Sequence, residues 1–244
     1  MTASPDILQV RGLRHHYEDG TATLKGIDFT VREGECLGIV GANGAGKSTL
    51  LQLLAGCLEA DSGEVSLDGV PLYKEKNKAR PPIGLVFQDA DDQLFMPTVW
   101  EDVAFGLAAR GVEAAALKHE AVAVLKTLHA THLAGRTPHR LSGGEKRIAA
   151  TAAVLAMSPR ILALDEPTAA LDPRARRHWM ALLKAMPSTR IVASHDLDMV
   201  LDVCDRVLVM HQGNIARESE VPGCLRDAAF LRDCGLELPL RYEA

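Results

Sequence analysis

The chain has 244 residues, of which 47% are hydrophobic, and it carries a formal net charge of −5. This length suits one large α/β domain or two small ones, and the acidic balance gives no sign of a broad basic surface for nucleic acid. The sequence also has no apolar run of about 18 residues that could span a bilayer, and no pattern of a secretory signal. We therefore expect a cytosolic protein that would meet a membrane only through partner proteins.

The five cysteines are scattered and odd in number. None forms a C-x-x-C pair, and several lie in apolar runs, so we interpret them as reduced packing residues. They are Cys36, Cys57, Cys204, Cys224 and Cys234.

Several short β-strands are predicted in the first third of the chain. Ile7–Leu13 and Ile27–Val31 have the composition of strands, and the second alternates apolar with polar residues. The segment His15–Gly20 between them is interpreted as a loop with one aromatic residue. A later alternating strand runs into Asp68-Gly69, which is a strong two-residue hairpin signal. These features predict an antiparallel β-subdomain beside the core.

The most informative stretch is Gly41–Thr49, which fits the pattern G-x-x-x-x-G-K-[S/T]. It follows the apolar run Cys36–Val40, suited to a buried parallel strand, and it precedes the helix-forming Leu50–Ala55. A strand, a glycine-rich turn and a helix are the context that a P-loop requires. In a P-loop, uncovered backbone N–H groups and the positive end of the helix dipole hold phosphate oxygens. The stretch therefore predicts a binding site for a nucleoside triphosphate.

Two side chains of this stretch have predicted contacts of their own. Lys47 would reach the β- and γ-phosphates as a point charge, and the Ser48 hydroxyl would ligate Mg²⁺. The other predicted nucleotide-binding residues of the stretch are Gly41, Asn43, Gly44, Ala45, Gly46 and Thr49.

The middle of the chain is predicted to be helical. Pro82–Phe87 is another apolar strand, and it ends at Gln88. From there the sequence loses its strand patterns, which predicts an inserted α-helical subdomain at about residues 89–158. Within it, Glu113–Ala130 places its apolar residues on one helical face, with Gly135 as the predicted stop.

Three short apolar strands are predicted in the last part of the chain: Ile161–Leu164, Arg190–Ala193 and Val207–Met210. The first ends in Asp165-Glu166 and the second in Ser194-His195. A helix between them is predicted to begin with Asp172 as N-cap and Pro173 at N1. Strands that alternate with helices indicate an α/β fold with a mainly parallel sheet. The tail at about residues 218–244 has no role that the sequence assigns.

A second candidate phosphate-binding stretch is Leu141–Glu145, which reads Leu-Ser-Gly-Gly-Glu. Ser142 and Glu145 have the spacing of a capping box, which alone could begin a helix. Capping does not explain Gly143 and Gly144, because glycine is about 1 kcal/mol worse than alanine inside a helix. Two glycines at a helix start allow an anion to approach uncovered N–H groups closely.

Together, these motifs resemble those of the ABC-type ATPases in order and spacing, over about residues 7–213. The matching segments are Gly41–Thr49, Gln88, Leu141–Glu145, Ile161–Glu166, Ala170–Asp172 and His195. The resemblance implies one ABC-type ATP-binding domain over residues 7–239, with a P-loop NTPase core and with ATP and Mg²⁺ as cofactors.

The resemblance also implies roles for single residues. Tyr17 lies where the family stacks an aromatic ring on adenine, although a neighbouring histidine is an alternative. Gln88 would link the γ-phosphate, Mg²⁺ and the helical subdomain. Glu166 would be the general base for the attacking water, and His195 would contact the γ-phosphate. Asp165 would hold Mg²⁺ through water.

Ser48, Gln88 and Asp165 are thus the implied residues of the Mg²⁺ site. Elementary chemistry agrees with these placements, because phosphoryl transfer to water needs charge neutralisation and a positioned nucleophile. Asp165 and Glu166 also follow a buried strand, at the sheet edge where open α/β sheets bind ligands.

The resemblance implies that the active unit contains two cassettes. In the family, the motif matched by Leu141–Glu145 covers the ATP that another subunit's P-loop holds. Ser142, Gly143, Gly144 and Glu145 would therefore bind nucleotide in a head-to-tail pair, and Asp172 would belong to the loop that joins the subunits. The second subunit could be another copy of this chain or a paralogue.

One subfamily is similar in more detail. Gln88–Gly106 closely resembles the ATPases of cobalt/nickel-type energy-coupling factor importers, and Leu141–Arg147 and Ser194–Arg206 are similar as well. The resemblance implies a peripheral motor on the cytoplasmic face of the membrane that powers import of cobalt or nickel. Its partners would be a transmembrane coupling subunit, gripped near Asp89–Gly106, and a substrate-binding membrane component. A biotin-type vitamin importer would use nearly the same ATPase.

Other functions have less support. ABC ATPases that act on DNA or the ribosome usually carry long coiled coils, zinc cysteines or tandem cassettes, and this sequence has none of them. A GTPase would need N-K-x-D, but Asn77-Lys78 is followed by Ala79-Arg80. His129 and His132 could form a metal pair on one helix, but no third ligand is near in the sequence.

Overall fold

The computed structural model describes residues 5–72 and 82–242. The segment Asn77–Arg80, where the guanine-binding pattern is missing, lies outside the described residues. So do the last two residues of the predicted tail, Glu243 and Ala244.

The predicted antiparallel sheet is present, and it has four strands. In spatial order it consists of β2 (Ala22–Arg32), β1 (Asp6–His16), β4 (Ser62–Leu67) and β5 (Val70–Pro71). The hairpin between β4 and β5 turns at Asp68 and Gly69, whose φ angles of 49° and 75° match a two-residue turn of the predicted kind.

The first strand is longer than predicted. His15 and His16 belong to β1, where they pair with Leu24 and Ala22 of β2. Asp61 also accepts a hydrogen bond from the backbone N–H of His16, at 2.7 Å. The predicted loop over His15–Gly20 is therefore wrong in its first two residues, because these long-range contacts continue the ladder past the turn-rich sequence.

The second sheet has six strands and is mainly parallel. Its spatial order is β10 (Asn214–Glu220), β9 (Arg206–His211), β3 (Cys36–Val40), β8 (Thr189–Ser194), β7 (Ile161–Asp165) and β6 (Ile83–Val86). Five strands pair in parallel, and only β10 is antiparallel, at one edge. The strands β3, β6, β7 and β8 are buried along their whole length. This burial agrees with their apolar runs, which in β8 cover only Ile191–Ala193.

Seven α-helices accompany these sheets in the part of the chain that the structure describes. They are α1 (Lys47–Leu54), α2 (Val99–Ala109), α3 (Leu117–Thr127), α4 (Gly143–Ala156), α5 (Pro173–Ala185), α6 (Leu197–Val203) and α7 (Ala228–Asp233). Residues 89–158, all of them described, contain α2, α3, α4 and short 3₁₀ turns and no strand. None of the helices in residues 5–72 and 82–242 is long and apolar enough to cross a bilayer.

The six-stranded sheet separates two hydrophobic cores. Because successive strand residues point to opposite faces, Leu37 and Ile39 of β3 join one core with α1 and the antiparallel sheet. Cys36 and Val40 join the other core, with the helices that follow β6. This alternation places α1, and the loop before it, between the two sheets.

The C-terminal segment belongs to the second core. Leu225, Leu231 and Leu236 are buried there together with Cys224 and Cys234. All five cysteines are free, and four of them are buried, as expected for packing residues. Cys57 is exposed, so its interpretation as a packing residue was wrong.

The predicted helix over Glu113–Ala130 ends earlier than expected. It forms α3, Leu117–Thr127, and His129 follows with a left-handed φ of 55°. The N–H of His129 donates to the carbonyl of Lys126, and the N–H of Ala130 donates to that of Leu125. This is a Schellman motif, in which a histidine occupies the position that glycine usually fills. The prediction of Gly135 as the stop was therefore wrong.

The same motif separates the two histidines considered as a metal pair. His129 lies after the end of α3, and His132 lies in a separate 3₁₀ turn, Thr131–Leu133, so the two histidines are not one turn apart on a single helix. Within the described ranges, no group of three or more histidine, cysteine or acidic side chains could hold a metal ion.

Candidate nucleotide site

The glycine-rich loop lies at the carboxyl end of β3, directly before α1. Gly46 is the N-cap of α1 with a φ of 103°, and a Cβ there would lie 2.9 Å from the carbonyl oxygen of Thr23. A Cβ on Gly41 would lie 2.5 Å from the carbonyl oxygen of Met210. Both positions therefore require glycine. The close packing against neighbouring backbone holds the loop around the start of α1, where N–H groups are uncovered.

Lys47 is buried and bends back over the loop. Its Nζ donates to the carbonyl oxygen of Gly41 at 2.8 Å and to that of Ala42 at 3.4 Å. The same nitrogen lies 3.8 Å from Oε1 of Glu166. The ammonium is thus held beside the loop and the carboxylate, within reach of an anion that enters between them.

Asp165 ends β7 and is 6% exposed. Burial raises the pKa of its carboxyl above the usual value, and the nearby Glu166 acts in the same direction. A hydrogen bond from the Ser48 side chain and the charges of Lys47 and Arg147 lower the pKa in part. Oδ1 of Asp165 is buried without a hydrogen-bond partner among the described residues. A buried carboxylate oxygen in this state is a candidate ligand atom.

Glu166 follows with a left-handed φ of 43°, and its buried carboxylate is held by the end of β8. The Ser194 hydroxyl donates to Oε2 at 3.0 Å, and the backbone N–H of His195 donates to Oε1 at 3.1 Å. The imidazole Nδ1 of His195 also lies 2.9 Å from Oε1. The adjacent strands β7 and β8 therefore bring Glu166 and His195 together.

These residues surround an open pocket of about 370 Å³. Its lining includes Tyr17, Gln88 and Glu166 together with the loop residues Asn43–Thr49. A second pocket, of about 590 Å³, is lined by Ser48, Gln88, Asp165 and Gly143, among others. Gln88 and Ser48 border both pockets, so they lie where the P-loop pocket meets the helical part of the chain.

Tyr17 is the aromatic residue of the first pocket. Its hydroxyl lies 3.0 Å from Oγ1 of Thr49, and the residue is 43% exposed. His15 is buried behind it, with its ring edge-to-face against Tyr17 and its Nδ1 donating to the carbonyl of Glu59. His16 is bound to Asp61 at 2.8 Å. Both neighbouring histidines are thus engaged elsewhere, and neither is among the described residues that line the pocket.

The glycine pair at 143 and 144 begins α4, with Ser142 as N-cap. The predicted capping box is present. Ser142 Oγ accepts from the N–H of Glu145 at 3.4 Å, and Glu145 Oε2 accepts from the N–H of Ser142 at 2.8 Å. The bond from the backbone N–H of Ser142 is the largest cause that lowers the pKa of the Glu145 carboxyl, and the Ser142 hydroxyl and Arg136 act in the same direction. Ser142 and Gly143 are exposed, and neither is among the described residues that line the P-loop pocket.

Asp172 is the N-cap of α5, as predicted, and accepts from the N–H groups of Arg174 and Ala175 at 2.8 and 3.0 Å. These two bonds lower the pKa of its carboxyl. Its position at the end of the Ala170–Asp172 loop leaves the carboxylate exposed.

Sequence reasoning assigned no role to the link between α4 and the Gln88 loop. Arg147 is 4% exposed, and its guanidinium donates to the carbonyl oxygens of Phe87 and Gln88, each at 2.7 Å. Lys146 contacts both carboxylate oxygens of Asp91 at 2.6 and 2.7 Å. Burial lowers the pKa of Arg147, although nearby carboxylates oppose that effect. A buried cation on an alanine-rich helix face is the signal that could have revealed this contact.

Ser194 is the other residue without a predicted role. The sequence placed it only as the last residue before His195, yet its hydroxyl is one of the groups that hold Glu166.

Comparison with known proteins places these features in a family. Residues 24–169 match the family model described as ABC transporter. The chain is 47% identical over 241 residues to an ABC transporter ATP-binding protein of Geobacter sulfurreducens, covering 98% of this chain and 97% of that protein. It is 41% identical over 239 residues to the energy-coupling factor transporter ATP-binding protein EcfA of Methanocaldococcus jannaschii, with 96% and 86% covered.

A similar structure has also been solved. It is that of CbiO1 from Clostridium perfringens, described as part of the ABC transporter complex CbiONQ. The two chains are 38% identical with a TM-score of 0.82, and the similarity covers 93% of this chain and 94% of that one. The similarity therefore extends over both sheets and the helical part.

Proposed function

Because this chain belongs to the ABC transporter family and is an ATP-hydrolysing subunit, we propose that it powers an energy-coupling factor importer for cobalt or nickel. The observation that carries the catalytic part of the proposal is the convergence of Lys47, Glu166 and His195 beside the P-loop. The Glu166 carboxylate lies 3.8 Å from Lys47 Nζ and 2.9 Å from His195 Nδ1. This arrangement supports the proposal, because hydrolysis of a phosphoanhydride requires a base and a cation, and the Glu166 carboxylate lies beside the Lys47 ammonium.

ATP would occupy the pocket of about 370 Å³. The N–H groups of Gly41–Thr49 would bind phosphate oxygens, and Lys47 would exchange its two carbonyl partners for phosphate. Tyr17 would stack on adenine, which its exposed ring and its place in the pocket lining support.

The donor atoms near Asp165 fit Mg²⁺. Oδ1 of Asp165 lacks a hydrogen-bond partner in the described part of the chain, and Ser48 lies beside this carboxylate. Gln88 borders the same pocket, so the set consists of oxygen donors, which a hard cation prefers. When bound there, Mg²⁺ would offset the negative charge of the phosphates.

Glu166 would act as the general base. The two bonds from Ser194 and the His195 backbone orient its carboxylate, which would accept the proton of the attacking water. His195 would turn its mostly exposed imidazole towards the γ-phosphate. Gln88 borders both pockets, so it would link bound ATP and Mg²⁺ to the helical part of the chain.

A second cassette would complete the site. Ser142, Gly143 and Gly144 lie at an uncovered helix start, away from the described lining of the P-loop pocket of their own chain. They and Glu145 would therefore cover the ATP of a partner, either another copy of this chain or a paralogue. Asp172 would lie at the joint between the two subunits.

The transport partner is proposed from the similarity to EcfA and CbiO1 and from the Gln88–Gly106 segment. Phe95 and Phe105 in this segment are 65% and 55% exposed, with ring centroids 5.2 Å apart in an edge-to-face pair. Exposed paired aromatics favour a protein contact. They would receive a helix of the transmembrane coupling subunit at the cytoplasmic face of the membrane, while a separate membrane component would bind the metal.

Uptake of radioactive cobalt and nickel by cells that carry the wild-type or the Lys47→Ala chain tests the proposal. We expect metal uptake to require Lys47 while biotin uptake does not. If only biotin uptake depends on Lys47, the chain serves a vitamin importer instead. If neither uptake depends on Lys47, and purification recovers no membrane subunit with the chain, then a non-transport ATPase is the better description.

A further inference from the structure

The carboxylate of Glu145 lies directly beside the proposed partner-facing phosphate site. Its Oε2 accepts hydrogen bonds from the backbone N–H of Ser142 at 2.8 Å and from the Ser142 hydroxyl at 3.0 Å. Glu145 therefore engages the hydroxyl and places a negative charge within hydrogen-bond distance of it.

This charge opposes the proposed task of the helix start. The N-terminus of a helix attracts anions because its N–H groups and its dipole supply a partial positive charge. A full carboxylate charge at the same end opposes that attraction, because it repels a phosphate. The site therefore needs a compensating cation.

Arg136 is placed to supply this cation. Its Nη1 lies 2.6 Å from Oε1 of Glu145, the oxygen that Ser142 does not use, and its Nη2 donates to the carbonyl of Arg140 at 2.9 Å. The backbone carbonyl of Arg136 accepts from the N–H of Val99, the first residue of α2. The guanidinium is thus held by Glu145 and by the Arg140 carbonyl, and the backbone of Arg136 is hydrogen-bonded to the start of α2.

We propose that Arg136 is a positioning residue that neutralises Glu145, so that the Ser142–Gly144 helix start can bind the γ-phosphate of ATP held by a second subunit. The inference rests on the proposed two-subunit function. The observation that carries this proposal is that the two carboxylate oxygens of Glu145 have different partners. Oε1 contacts Arg136, and Oε2 accepts from Ser142. An uncharged glutamine at position 145 would not need the arginine.

The test measures ATP turnover by the purified full-length chain with Mg²⁺ present. Arg136→Ala leaves the carboxylate uncompensated, so we expect turnover to fall about tenfold, the effect of one opposing charge near the reacting phosphate. Binding of a fluorescent ATP analogue to the P-loop should stay within about twofold, because the P-loop pocket of the same chain lies elsewhere.

The decisive variant is the double substitution Arg136→Ala with Glu145→Gln. Removing the carboxylate charge should restore turnover to within about twofold of the Glu145→Gln single variant. A purely structural role for Arg136 would not be rescued in this way, because glutamine cannot replace the bond to the Arg140 carbonyl. Lys126→Ala is the matched control, since it removes a positive charge from an exposed position of α3.

Two results overturn the inference. One is full turnover by Arg136→Ala, and the other is a loss that Glu145→Gln leaves unrescued. Ser142→Arg separates these results from a failure of the proposed function. If Ser142→Arg turns over ATP like the wild type, the two-subunit site itself is wrong. Suppose instead that Ser142→Arg is inactive, and that Arg136→Ala either keeps full turnover or is not rescued by Glu145→Gln. In that case the two-subunit site stands and only the proposed role of Arg136 is wrong.

Discussion

The imidazole Nδ1 of His195 lies 2.9 Å from Oε1 of Glu166, although the two residues are 29 positions apart in the sequence. The contact arises because β7 and β8 are neighbours in the parallel sheet and both end at the P-loop edge. The proposed base is thus oriented by residues of its own chain. This geometry leads to the first of five predictions.

Glu166→Gln should bind ATP but lose at least about a hundredfold of its hydrolysis rate, because the amide cannot accept the proton of water. Phosphate release and equilibrium ATP binding, measured on the same preparation, check this. Ser194→Ala is a graded comparison, since it removes one of the bonds that orient the carboxylate. Wild-type turnover by Glu166→Gln would exclude Glu166 as the base.

Lys47→Ala and Ser142→Arg should fail in different ways. Lys47→Ala loses the cation beside the loop and should weaken ATP binding at least about tenfold, as expected for loss of a charged contact to phosphate. Ser142→Arg leaves the P-loop pocket intact, so it should bind ATP normally but lose dimerisation and turnover. Calorimetry and light scattering with ATP distinguish the two. Equal loss of ATP binding in both variants would contradict the two-subunit site.

Asp165→Asn should stabilise the nucleotide-free protein while abolishing Mg²⁺-dependent hydrolysis. Burial raises the pKa of Asp165 in the folded state, so folding favours its protonated form. The carboxylate therefore destabilises the fold as pH rises through that raised pKa, and this cost is relieved below the unfolded pKa.

At neutral pH we expect the Tm of Asp165→Asn to rise by roughly 2–4 °C, equivalent to about 1 kcal/mol in a domain of this size. Thermal unfolding at pH 7 and at pH 4 checks the sign, because the gain should shrink at the lower pH. A lower Tm for Asp165→Asn at pH 7 would show that the neighbouring Lys47 and Arg147 outweigh burial.

Tyr17→Ala should weaken ATP binding by roughly tenfold, within the range of 1–3 kcal/mol that base–aromatic stacking contributes. Tyr17→Phe keeps the ring and loses only the contact between the hydroxyl and Thr49, so its affinity should stay within about threefold of the wild type. Titration of both variants with ATP tests this. If Tyr17→Phe loses as much affinity as Tyr17→Ala, then the hydroxyl contact rather than stacking holds the nucleotide.

Arg147→Lys should destabilise the fold by about 1–3 kcal/mol, since one ammonium cannot replace two buried donors to the carbonyls of Phe87 and Gln88. Lys146→Ala is the matched comparison, because its partner Asp91 is more than half exposed and such pairs contribute at most about 1 kcal/mol. Urea unfolding measures both. Similar losses for the two variants would show that burial of Arg147 adds nothing.

Some sequence predictions failed where a long-range contact or an unexpected cap decided the backbone. The helix predicted to stop at Gly135 ends instead before His129, which has a left-handed φ and takes part in the Schellman hydrogen bonds. Propensity rules predict glycine at that position. His15 and His16 extend β1 because β2 and Asp61 provide partners that lie far away in the sequence. The residues next to His15 and His16 in the sequence do not reveal such distant partners.

Local sequence patterns were enough to predict the strand, loop and helix around Gly41–Thr49, the two acidic residues after β7, the N-cap at Asp172 and the capping box at Ser142. Each depends on a local pattern, because turns, caps and strand ends are set by residues only a few positions apart. Which side chains contact one another, in contrast, could be seen only in the folded chain. It joined Ser194 and His195 to Glu166, Arg147 to the Gln88 loop and Arg136 to Glu145. The first contact depends on the order of strands β7 and β8, and the second on the packing of α4 against the loop after β6. Arg136 and Glu145 are only nine residues apart, but their contact depends on how the turn before α4 folds back on the helix start.

The Gly41–Thr49 loop illustrates both contributions. Its pattern predicted phosphate binding from nine consecutive residues. The reasons that Gly41 and Gly46 must be glycine, however, lie in the backbone of Met210 and Thr23, which the fold places within 3 Å of where a Cβ would be.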